Sequence, residues 1–134
     1  MQKTMSVTIG VTKGVLSALL ILCLTAGIAN AAQSKAVQTM SGILMKAQHF
    51  PSADDKLALT QIVEDKATTA DERTLAKALT NVQHTVAAAD KPGLEAIVSD
   101  AKASAAAKTL AGAILNFKHS ASADDKEKLK ALSQ

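Results

Sequence analysis

The chain has 134 residues, 48% of them apolar, with 15 basic and 12 acidic side chains, three histidines, one cysteine and neither tyrosine nor tryptophan. A near-balanced charge, a single arginine (Arg73) and no large stacking aromatics exclude a nucleic-acid surface of the usual kind, which needs basic clusters and rings to stack on. The lone thiol, Cys23, lies in an apolar N-terminal stretch, so beyond that stretch disulfides, thiolate metal sites and cysteine nucleophiles are excluded together.

In chain order, residues 1–31 read as an export signal. Lys3 and Lys13 mark a polar start, GVLSALLILCLTAGIA is the apolar stretch, and Ala29-Asn30-Ala31 supplies an A-x-A cleavage pattern. The strongly apolar part, 15–24, is shorter than the roughly 20 residues of a spanning helix, so cleavage rather than anchoring is expected. Leu20-Ile21-Leu22 ahead of Cys23 is not the small-residue run of an acylated cysteine. Lys3 and Lys13 leave with the signal, and thirteen basic and twelve acidic groups remain, a balance of about +1. The expected destination is the periplasm or the exterior, with no membrane association after cleavage.

The mature part, 32–134, repeats itself. HFPSADDK (49–56), HTVAAADK (84–91) and HSASADDK (119–126) start 35 residues apart, and TLAKALTNVQH (74–84) lies over TLAGAILNFKH (109–119) and more loosely over TMSGILMKAQH (39–49). A fixed period of this size is the mark of helical-hairpin arrays, in which each unit buries a face against its neighbour. The expected fold is therefore all-α, a single domain of three tandem hairpins over about 34–68, 69–103 and 104–134, with six short helices in an open array or a closed bundle.

Within each unit the first helix carries an i, i+3, i+4, i+7 stripe: Met40, Ile43, Leu44 and Ala47; Leu75, Ala78, Leu79 and Val82; Leu110, Ala113, Ile114 and Phe117. The second carries a shorter one: Leu59, Ile62 and Val63; Leu94, Ile97 and Val98; Leu129 and Leu132. Ser52 and Ser122, each followed by two aspartates, are N-cap signals, and Thr69 with Glu72 spells a capping box. In the middle copy Ala87 replaces the serine, so Asp90 is expected to cap, with Pro92 in the first turn. Gly42 and Gly112 occupy matching first-helix sites where unit two has Lys77, a position off the core stripe.

His49, His84 and His119 stand at the end of each first helix, where an imidazole can meet free carbonyls and the negative end of the helix dipole. The repeated phrase thus reads as a C-cap, a tight turn and an N-cap joining two antiparallel helices. The alternative is a metal site built from these His/Asp turns for zinc, copper or nickel. Against it, each turn offers too few ligands alone, and equivalent positions on stacked helices lie at least the roughly 8–10 Å between helix axes apart. A shared response of the three imidazoles to pH is a third reading. No nucleophile elbow or phosphate loop is present, and Glu64-Asp65 and Asp71-Glu72 read as solvated helix ends rather than acid/base pairs. The expectation is a non-enzymatic exported scaffold for a protein partner, with no catalytic, cofactor-binding or metal residue assigned; the metal-binding protein is its alternative.

Overall fold

The computed structural model describes residues 33–134, so the export-signal reading of 1–31 lies outside the described residues. The described part is all-helical: α1 Lys35–Lys46, α2 Ala53–Glu64, α3 Ala70–Thr80, α4 Lys91–Ser99, α5 Ala105–Leu115 and α6 Ala123–Leu132, with no strands among these residues.

The helices start where short polar side chains satisfy orphan N–H groups. Ser52, Thr69 and Ser122 accept from the N–H of Asp55, Glu72 and Asp125 at 3.1–3.2 Å. The Asp55 and Glu72 carboxylates accept in return from the Ser52 and Thr69 N–H groups, which completes two capping boxes. Ser34 and Ser104 cap α1 and α5 in the same way. The middle copy differs from expectation. Asp90 makes no side-chain cap bond; its carboxylate instead accepts from the Asn81 amide at 3.0 Å, tying the end of α3 to the start of α4.

Every residue of the three first-helix stripes is buried, Met40 through Ala47, Leu75 through Val82 and Leu110 through Phe117. The stripes of the second helices are thinner: Leu59, Leu94 and Leu129 are fully buried, Ile97 is buried as well, Ile62, Val63 and Leu132 are half-buried, and Val98 is exposed. The reason lies in how the helices are layered. Helices α1, α3 and α5 pack on one another as an inner trio, and α2, α4 and α6 lie outside it. An inner helix meets neighbours on several sides and needs a broad apolar face, whereas an outer helix is held by one or two apolar anchors.

The pairing also differs from the expected hairpins. Helix α2 packs chiefly on α3 and α4 on α5, each more extensively than on the helix before it, and α6 packs on α1. The tight links are therefore the five-residue segments 65–69 and 100–104. There Asp65 and Asp100 each accept through the side chain from the N–H two residues on, at 2.8 Å, and through the carbonyl from the N–H three residues on, at 3.2 Å. Contact between α6 and α1 closes the circle, so the expected choice between open array and closed bundle resolves to a ring of six helices. At Gly42 and Gly112 an added Cβ would meet nothing within 4 Å, so these glycines serve no close backbone approach.

Candidate metal centre

Two contacts fix the direction of the inner trio. At the start of α1 the Ser34 hydroxyl donates to the Glu72 carboxylate in the first turn of α3, and beyond their ends His49 meets His84. Helices α1 and α3 thus run parallel, and the segment after α5 joins them at the same end through His119.

At that end the three corners are joined to one another. The His49 N–H donates to the His119 carbonyl at 2.5 Å, His119 N–H to the His84 carbonyl at 2.6 Å, and His84 N–H to the His49 carbonyl at 2.5 Å. Each histidine thereby gives one bond and takes one, and the circle is complete. The residues on either side of each histidine pair with each other: Phe50 N–H reaches the Gln48 carbonyl at 2.8 Å, Thr85 N–H the Gln83 carbonyl at 2.6 Å, and Lys118 N–H the Ser120 carbonyl at 3.4 Å. Beneath them Pro51, Val86 and Ala121 are buried and hold the corners down.

This loop geometry carries a strain. His49, His84 and His119 have φ of 66°, 59° and 66°, and they are the non-glycine residues with positive φ among the described residues. At His49 and His84 the bond between flanking residues makes the positive-φ form of the γ-turn, the rare and strained one. Glycine would occupy such a position without steric penalty, and asparagine would be cheaper than a bulkier residue. All three corners use histidine instead. Strain of this kind persists where the surrounding structure holds it, here the hydrogen-bonded circle, and it clusters at functional sites.

The imidazoles do not cap the helices, contrary to expectation. The helix ends are closed by backbone N–H groups, Ala47 to Ile43 at 2.9 Å, Asn81 to Lys77 at 3.2 Å and Asn116 to Gly112 at 3.0 Å, and no ring nitrogen of the three histidines bonds a helix carbonyl among the described residues. The three rings instead face one another edge to face, with centroids 4.9, 5.2 and 5.2 Å apart. One ring nitrogen from each lies within 4.8 Å of the others, and the Nδ1 atoms of His49 and His84 are 3.0 Å apart. The separation of 8–10 Å expected from stacked helices is thus overturned. It holds for a linear array, whereas a ring of units brings equivalent positions to a common axis.

Three imidazole nitrogens bound at 2.0–2.1 Å to a tetrahedral ion sit about 3.3 Å from one another. The trio brackets that spacing, with 3.0 Å between two Nδ1 atoms and all three nitrogens within 4.8 Å, and all three histidines are exposed. Among the described residues no carboxylate joins the set, so the donors suit zinc, copper, nickel or cobalt rather than magnesium or calcium. Helix C-termini each carry roughly half a negative charge, and the three inner helices end three or four residues before the histidines, an arrangement that favours a cation. The nearby Lys46 ammonium is held by Asp55 at 2.7 Å.

Burial pushes the Asp55 carboxyl up, but hydrogen bonds from Lys46 and Ser52 outweigh it and leave the group below its ordinary value. For Glu72 burial likewise raises, while bonds from Ser34 and Thr69 and the charge of Arg73 hold the net value down. Both acids serve helix starts. The other expected solvated acids remain scattered: Glu64 and Asp65 are exposed at the end of α2, and Asp71 is half-buried in the first turn of α3.

Comparison with protein-family models, with curated proteins and with solved structures finds no match for the chain.

The sequence reading assigns no metal ligand and sets the three histidines far apart, whereas the ring brings them together. A signal for their convergence was present. All three histidines of the chain occupy one register of the repeat, while the residue before varies between Gln and Lys and the residue after between Phe, Thr and Ser.

Proposed function

We propose that this is an exported protein of three related units of about 35 residues that binds one late transition-metal dication through His49, His84 and His119. Convergence of three exposed imidazoles to within 4.8 Å carries the reading. Two further features support it: the side chains are retained at backbone positions where glycine would be less strained, and the donor set is nitrogen only. Three imidazoles leave at least one coordination position to solvent or a further ligand. The role is metal binding or buffering without catalysis.

The deciding experiment is calorimetry of residues 32–134 with zinc, copper and nickel, beside the His49/His84/His119→Ala triple variant. One equivalent bound by the wild type and none by the variant is expected; equal heat from both removes these residues as ligands.

A protein-binding role is the second reading. Phe50 and Leu57, at the first corner and in α2, are 55% and 62% exposed, apolar area that a partner could cover. A Phe50→Ser/Leu57→Ser double variant that still retains every species captured by the wild type would end it.

A further inference from the structure

Beside the histidines lies an open groove of about 470 Å³, lined among others by Lys46, Gln48, His49, His119, Ser120 and Lys126. It runs along the seam where the third unit meets the first. Two ammonium groups border it. Lys46 is occupied by Asp55 at 2.7 Å, while Lys126 has no carboxylate within ion-pair distance among the described residues. The other polar groups of the lining, the Gln48 amide and the Ser120 hydroxyl, are neutral. The groove near the second-unit corner, lined by Asn81, Gln83, Thr85 and Lys91, does not include a histidine. Among these grooves, then, the one on the third-to-first seam joins a lysine without an ion-pair partner among the described residues to two of the three histidines.

We infer that the metal ion bound by the three histidines takes a small carboxylate anion as its remaining ligand, seated in this groove with its charge facing Lys126. The inference rests on the metal reading above. Three imidazoles hold a dication without neutralising it, and they leave a coordination position that water or an anion must fill. Two positive centres, the ion and the Lys126 ammonium, then flank one cavity. An anion that ligates the ion with one oxygen satisfies both, and the Gln48 amide and Ser120 hydroxyl lie in the same lining to meet a second oxygen. A neutral ligand gains only the bond to the metal.

The test uses the chain 32–134 loaded with cobalt(II), whose visible spectrum reports its ligands, titrated separately with acetate and with neutral 1-methylimidazole. Acetate is expected to change the spectrum saturably. Lys126→Gln is expected to weaken acetate by about 2- to 5-fold, the range of a partly solvated ion pair, and to leave 1-methylimidazole unchanged, while Lys126→Arg restores the acetate affinity. Lys126 is exposed, so these variants leave the fold intact. If the wild type takes up no cobalt, the metal reading falls and this inference with it. If cobalt binds but acetate leaves the spectrum unmoved, or if Lys126→Gln binds acetate as tightly as the wild type, this inference alone is overturned. A cobalt-loaded dimer that acetate dissociates would assign the open position to a carboxylate of a second copy, and would overturn the small-ligand assignment equally.

Discussion

The two ends of the inner helix trio solve the same problem in opposite ways. At the starts of α1, α3 and α5 each helix satisfies its own N–H groups with a side chain three residues away, and the residue is free to vary: Ser34, Thr69 or Ser104. At the finishes the corners satisfy one another in a circle, and the residue at the crossing is histidine every time. A local bond needs only a suitable oxygen, so its sequence drifts. A bond shared between three corners needs their mutual placement, and the identical strained side chain there is not demanded by the backbone at all.

The largest effect separates the corner from what lies beneath it. Phe117, Val82 and Ala47 are the last buried stripe positions before the three corners and are unequal in size, so the packing load falls mostly on the third. Phe117→Ala is expected to lower unfolding free energy by about 3–5 kcal/mol in a denaturant titration; a loss under 1 kcal/mol would mean that the hydrogen-bonded circle, not the packing below it, holds that end.

Next comes the corner residue. His84→Gly is expected to weaken metal binding by more than the roughly 10- to 100-fold that losing an outer partner of a ligand costs. Apo stability should stay within about 1 kcal/mol, because relief of the positive φ offsets the greater freedom of glycine when unfolded. Should apo stability collapse with metal affinity intact, the histidines are structural.

At the opposite end, Thr69→Ala removes one cap and half of a capping box, for an expected loss of about 1 kcal/mol by thermal or denaturant unfolding. Metal affinity should not change, since this end lies a full helix length from the imidazoles.

The smallest effect is a pH slope. The Glu72 carboxyl has a folded value below its unfolded one, so its stabilisation is present above the unfolded value and is lost as pH falls through the folded value. Unfolding followed from pH 6 down through the carboxylate range should therefore show a decline that Glu72→Gln makes shallower. An identical slope in the variant would assign the decline to other acids, Asp55 foremost.

Much of this architecture is legible in the sequence because it is written locally. The stripes Leu75–Ala78–Leu79–Val82 and Leu110–Ala113–Ile114–Phe117 are periodic within one helix, and Ser52, Thr69 and Ser122 cap within four residues, so neither depends on where any other helix goes. The Asp90 cap expected from the sequence does not form because its carboxylate accepts from Asn81 at the preceding helix end, a partner nine residues away. The pairing of α2 with α3 and the closure by α6 are properties of the whole ring and leave no mark in any one unit. The histidine cluster is the extreme case: its members are 35 and 70 residues apart, and their distance is set by closure alone, which a period of 35 permits but does not state.

Closure has one more consequence. Gln38, in the first turns of α1, donates through its amide to the carbonyl of Gln134 at 2.8 Å, so residue 134 lies against the same helix that α6 covers. A circular permutant that begins at Ala67, in the tight link before α3, and splices residue 134 to residue 33 through a few glycines should keep all six helices and the axial trio. The ring would then be defined by which helices touch, and not by where the chain is cut.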